Sequence, residues 1–178
     1  MIRDISRPLD ERIENYPGDP PFSCEVVQRV PALVSRLEMS VHCGTHVDAP
    51  LHFIPGGPSV DQIPLETFIG PCQVVDGAKQ PPMGTTRALF RADHLTPELA
   101  RSLVEDGIRL VGISSPSVDA IPSPDHPVHL ILLSAGVAIV EGLVLQGIEP
   151  GAYRLSVLPL ALIGAEAAPA RAIIERFS

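Results

Sequence analysis

Three histidines and one aspartate fall within eleven residues, at His42, His46, Asp48 and His52. The chain has 6 histidines in all, so half of them occupy this one stretch. Imidazole and carboxylate at that density suit a divalent cation such as Zn²⁺, Mn²⁺ or Fe²⁺, and a carboxylate can bridge two ions. The spacing also constrains the backbone. In a helix His42 and His46 would share a face, but Asp48 would lie about 200° from His46 at 3.6 residues per turn. An extended run puts all four groups on one side. A straight strand of ten residues spans roughly 33 Å, however, so one ion cannot be reached from both ends. The segment must bend, and Gly44 and Pro50 are the natural places. Odd positions such as Cys43 then face away from the donors.

Composition narrows the setting. A chain of 178 residues with 45% hydrophobic content fits a single domain, 1–178, with a substantial core. The net charge of −8 and the lack of a basic run offer nothing to nucleic acid or to an anionic membrane surface. The most apolar stretch, residues 130–140, is too short to cross a bilayer and reads as core. Cys24, Cys43 and Cys72 are an odd, sparse set and make no disulfide framework. The first residues lack the apolar run of a signal peptide, so a cytoplasmic protein is expected. The 20 prolines cluster between the periodic segments and mark rigid loops.

The periodic segments predict mostly strands. Residues 33–41 alternate apolar and polar, as a half-buried strand does. Residues 72–76 and 86–91 read as short strands. Thr96 is a good N-cap, with Pro97 at the first helical position and Glu98 at the positive end of the dipole. Leu99, Leu103 and Val104 form that helix's apolar face, and Gly107 stops it. Residues 108–114 read as a buried strand and 127–135 as a short helix ended by Gly136. Strands are expected again at 137–145, 153–164 and 170–176. The sum is an α/β domain with a mixed sheet and few helices.

Ligands from one loop leave an ion open on one side, so others must come from elsewhere. The candidates are His94, Asp125, His126, His129 and Glu141. His129 and Glu141 lie in the most apolar part of the chain. A buried imidazole and carboxylate there require compensation, by metal ligation, a hydrogen bond or an ion pair with arginine. A reversal at Gly136 would bring both to one point.

The run from His42 to Phe53, His-x-Gly-Thr-His-x-Asp-x-Pro-x-His-Phe, resembles the signature of the cyclase-like metal-dependent hydrolases. That family includes bacterial kynurenine formamidase and isatin hydrolase. The likeness extends to 4–9, 16–22, 112–119, 139–143, 158–160 and 169–172, nearly the whole chain. It implies a swivelling β/β/α-type domain, dimeric or higher, with pockets completed by a neighbouring subunit. It implies one or two divalent ions, Zn²⁺ first and Mn²⁺ second. His42, His46 and Asp48 would hold one ion; Asp48, His129 and Glu141 would hold another. His52 would be the general acid/base. Tyr16 stands where the formamidases usually carry an aromatic residue against the substrate ring, and Phe22 closes the same loop. This chain departs from the family in having no Trp and a shorter segment between Asp76 and Thr86.

The resemblance implies a small-molecule substrate and hydrolysis of an amide-like C–N bond. N-formylkynurenine, from tryptophan catabolism, leads. A cyclic amide or lactone such as isatin is the alternative within enzymes. A metal-binding protein without turnover is the alternative from another class; an intact His52 speaks against it.

Overall fold

A computed structural model describes residues 1–13, 16 and 18–177. Strands β1 (Ile2–Asp4), β2 (Ser23–Gln28), β3 (Val34–Glu38), β4 (His46–Asp48), β5 (Ile69–Asp76) and β6 (Arg87–Arg91) lead into helix α1 (Pro97–Glu105). Strand β7 (Leu110–Ile113), helix α2 (Pro127–Ser134), and strands β8 (Ala138–Glu141), β9 (Gly151–Pro159) and β10 (Ala167–Arg176) follow. Eight strands form one mixed sheet in the order β1-β10-β4-β8-β7-β6-β5-β9, and β9 also pairs with β10. That last pairing closes the sheet into a barrel-like ring. The pairings β5–β6, β6–β7 and β7–β8 are parallel and the others antiparallel.

Residue parity divides the core in two. Val47, Leu89, Leu110 and Val140 point into the ring, where they meet Phe68, Leu155 and Ile174. Their neighbours Phe90, Val111 and Ile139 point outward and pack on Leu103 of α1 and Leu132 and Leu133 of α2. The central strands are therefore covered on both faces, which is why β7 and β8 are apolar and buried nearly throughout. Each such Leu, Ile or Phe contributes about 1.5–3 kcal/mol by leaving water. Helix α1 begins as its sequence predicts: Thr96 Oγ1 accepts from the Leu99 N–H at 3.2 Å, with Pro97 at the first turn.

The mixed sheet and few helices are as expected, and the predicted strands at 72–76, 86–91, 108–114, 153–164 and 170–176 form with shifted ends. Two expectations need correction. The strand expected over 137–145 stops at Glu141, because Gly142 turns the chain at φ +69°. The strand expected over 33–41 forms as β3, but it is exposed along its length rather than half-buried. Among the described residues it pairs only with β2, a strand that the broken alternation around Val26 and Val27 conceals. The alternation of β3 reports an apolar face that this chain itself leaves uncovered.

Gly142 matters beyond its φ. A Cβ there would lie 2.5 Å from the Gly44 carbonyl oxygen. Beside it, Thr45 Oγ1 donates to the Gly142 carbonyl at 2.7 Å. This close contact clasps the start of β4 to the end of β8. We predict that Gly142→Ala lowers stability by about 2–4 kcal/mol, from forced left-handed backbone and a backbone clash. A fall in denaturant midpoint with an unchanged m-value checks it.

Candidate metal centre

Strand parity assembles the centre. Val47 faces the ring, so His46 and Asp48 face outward, toward the helices. In the β4–β8 register His46 sits directly opposite Glu141 and Asp48 opposite Ile139. Glu141 shares the outward face of Ile139. Helix α2 packs on that same face and brings His129 with it. Before β4, Gly44 bends the chain at φ +70°; after it, Pro50 opens a short 3-10 turn that carries His52. The bend expected between 42 and 52 therefore occurs at both predicted places.

The donors converge. His42 Nδ1 lies 3.0 Å from Asp48 Oδ1, and His46 Nε2 lies 3.3 Å from the same oxygen. His46 Nε2 is 3.5 Å from Glu141 Oε2. His129 Nε2 is 3.2 Å from Glu141 Oε1 and 3.7 Å from Asp48 Oδ2. His52 stacks on His42 with ring centroids 4.3 Å apart. His46, Asp48, His129 and Glu141 are all buried.

Second partners aim the two buried imidazoles. His46 Nδ1–H donates to the Gly44 carbonyl at 3.1 Å, and His129 Nδ1–H donates to Asp119 Oδ2 at 2.6 Å. Both bonds turn Nε2 toward the carboxylates, the arrangement seen around metal-bound histidines. The Val118 N–H fixes Glu141 by donating to Oε1 at 2.7 Å. Asp119 was not singled out from the sequence. It also accepts from the Val128 and His129 N–H groups, at 2.8 and 3.1 Å. It thereby caps α2 from a distance, where the N-cap residue His126 supplies no side-chain cap. Glu166, 3.7 Å from His42 Nε2, was likewise missed.

Unmet valence shows that the donor set fits a cation. His46 Nε2 and both Asp48 carboxylate oxygens are buried without a hydrogen-bond partner. Orphaned buried groups of this kind are rare unless something binds them. Charge points the same way. Burial alone would lower the His46 imidazole, yet Asp48 and Glu141 carry it up to about 10. Burial likewise opposes protonation of His129, which Asp119, Asp48 and Glu141 push up to about 12. Burial raises Asp48, but the imidazoles of His46, His129 and His42 hold it well below the usual carboxylate range. The pocket demands positive charge, and a divalent ion supplies it. His52 behaves otherwise: burial lowers its imidazole, so it is neutral at pH 7.

A cavity of about 280 Å³ opens onto these groups. Tyr16, 41% exposed, lines the cavity, as does Phe53. Phe22 is half-buried and is not among the lining residues. His94 and Asp125 are exposed and stand apart from the donors. His126 lines the cavity at a left-handed φ of 41°. Cys43 is buried outside the cavity, and burial raises its thiol.

The Cyclase family model matches residues 3–94. A kynurenine formamidase of Bacillus cereus is 36% identical over 200 residues, covering 97% of this chain and 96% of that relative. The chain belongs to the Cyclase family. A kynurenine formamidase of Geobacillus thermodenitrificans is also 36% identical to this cyclase-family chain, over 201 residues with the same coverage. A solved structure described as a "potential metal-dependent hydrolase with cyclase activity" superposes with a TM-score of 0.87 at 30% identity, covering 100% of this chain and 99% of its own. Isatin hydrolase A from Labrenzia aggregata superposes at 0.85 with 25% identity, covering 98% and 93%. This member of the cyclase family is an enzyme that hydrolyses C–N bonds outside peptides.

Two outcomes test the centre. Asp119→Asn keeps the shape but weakens the grip on the His129 proton, and metal affinity falls by about 10- to 100-fold; competition with a chelator measures it. Without an ion, His46 and His129 are protonated at pH 7, being carried up to about 10 and about 12. An ion that takes Nε2 must displace those protons, so affinity rises with pH between about 6 and 9 and about two protons leave per loaded chain. Calorimetry in buffers of different ionisation enthalpy counts them.

Proposed function

We propose that this protein is an arylformamidase that hydrolyses N-formylkynurenine to kynurenine and formate. The observation that carries the reading is the convergence of five donors on one centre, four of them lining a cavity that a neutral His52 also lines. Likeness to kynurenine formamidases over almost the whole chain supports it. His42, His46 and Asp48 would hold one divalent ion, and Asp48, His129 and Glu141 a second. Zn²⁺ is the first expectation and Mn²⁺ the second, since imidazole and carboxylate suit both. When bound, such ions lower the pKa of water toward 7 and polarise a carbonyl.

The chain's own groups do the rest. His52, neutral at pH 7 and on the cavity wall, takes a proton as water adds to the formyl carbon. It then delivers that proton to the aryl nitrogen as the C–N bond breaks, without which an amine leaves poorly. Tyr16 and Phe53 offer faces for an aromatic ring. Phe22 has no place in this scheme.

Isatin ring opening is the second reading, favoured by the likeness to isatin hydrolase A. Val26, Val27, Val34 and Leu37 leave apolar surface exposed on the β2–β3 hairpin. We assign this hairpin to a homodimer interface, because a second copy would cover its exposed apolar side chains. The free thiols of Cys24, Cys43 and Cys72 accord with a reducing cytoplasm.

Formate release from N-formylkynurenine by the metal-loaded protein, set beside ring opening of isatin, decides between the readings. Protein replete in metal and inert toward both substrates would sink them together. His52→Ala is expected to lower kcat by about 10²–10⁴-fold with metal content unchanged. Loss of bound metal in that variant would make His52 a ligand instead.

A further inference from the structure

The cavity carries two opposite charges that the hydrolytic chemistry does not use. Arg7 and Asp19 both line it. Arg7 is held in place: its N–H donates to Thr45 Oγ1 at 2.8 Å and its guanidinium donates to the Ser114 carbonyl at 3.2 Å. That engages one of five guanidinium donors and leaves the fork otherwise open. Gly44 lets this segment come close, since a Cβ there would meet Leu9 Cδ2 at 2.5 Å. Asp19 is equally fixed. Its Oδ2 accepts from Ser40 Oγ at 2.8 Å, and that hydroxyl in turn accepts from the His42 N–H at 3.1 Å. The acid is thus tied to the backbone of a metal-site residue.

Among the described residues, five other arginines pair with acids, Arg101 with Glu98 at 3.8 Å among them, while Arg3, Arg29, Arg87, Arg109, Arg154 and Arg176 form no ion pair and do not line the cavity. Arg12, Arg36, Arg91 and Arg171 pair with Asp10, Glu25, Asp76 and Asp4. Among the described residues, neither Arg7 nor Asp19 forms an ion pair, with each other or with any third group. A net charge of −8 makes an uncommitted guanidinium on a cavity wall notable. Cation and anion in one small cavity complement a zwitterion.

We infer that Arg7 and Asp19 form a dipolar clamp for the α-amino-acid end of the substrate, Arg7 taking the carboxylate and Asp19 the ammonium. This rests on the arylformamidase reading and extends it from the scissile bond to the far end of the molecule. A guanidinium fork matches a carboxylate in two parallel hydrogen bonds. With the far end held, the aryl formamide can reach the donors beside Tyr16 and Phe53. Isatin, uncharged and without an amino-acid chain, gains nothing from the clamp. The pair therefore selects for an aryl formamide that carries a free amino acid.

Titration of the metal-loaded protein with L-kynurenine and with 2-aminoacetophenone tests this. The second probe keeps the aminophenyl ketone and lacks the amino acid. The expected result is that wild type binds L-kynurenine at least about tenfold more tightly, and that added salt narrows the gap. Arg7→Met and Asp19→Asn should each weaken L-kynurenine by about tenfold while 2-aminoacetophenone shifts by less than about twofold. Arg7→Lys should retain part of the preference. Equal binding of the two probes by wild type overturns the clamp, as does an Arg7→Met variant that weakens both alike. If L-kynurenine binding depends on Arg7 but no formate is released from N-formylkynurenine, the clamp stands and the activity falls. If formate is released but L-kynurenine binding ignores Arg7 and Asp19, only the clamp falls.

Discussion

Asp48 lies on β4 with no access to solvent, and neither of its carboxylate oxygens has a hydrogen-bond donor. Moving such a group out of water costs several kcal/mol even after the protein relaxes. The β4–β8 register makes the cost worse, because it brings a second buried acid, Glu141, to the same spot. Two neighbouring carboxylates repel unless cations lie between them. Everything near the centre serves that need. His42, His46 and His129 aim nitrogens at the acids from a bend, a strand and a helix.

Much of this was legible in the residues. The spacing of His42, His46, Asp48 and His52 excluded a helix and required a bend, and Gly44 and Pro50 supply it. The apolar surroundings of His129 and Glu141 marked them as groups needing a partner. The rest depends on tertiary geometry that local patterns do not encode. Asp119 reads as an ordinary turn residue; only the folded chain shows it reaching ten positions ahead to His129. The alternation of β3 specifies a strand but not its exposure, because period-two patterning does not say whose surface lies opposite. Arg7 and Asp19 carry no local pattern that relates one to the other. Their relation emerges only when the Gly44 bend brings both onto one cavity.

Structure and chemistry share the same atoms here. Asp119 caps α2 and also fixes the His129 ring, so the start of that helix and the orientation of a donor are one arrangement. His126 stands next to it in left-handed backbone, a conformation that costs a non-glycine residue roughly 1–3 kcal/mol. The surrounding contacts hold it there, facing the cavity. Thr45 works in the same double way. Its hydroxyl accepts from Arg7 and donates to Gly142, joining the cavity wall to the two strands of the centre.

The clasp between Thr45 and Gly142 spans 97 positions of chain. No fragment emerging from the ribosome can hold an ion between β4 and β8 until residue 141 has been made. Completion of the second ion position, which draws on His129 and Glu141, is then a late event in biogenesis, reserved for chains that have nearly finished their barrel.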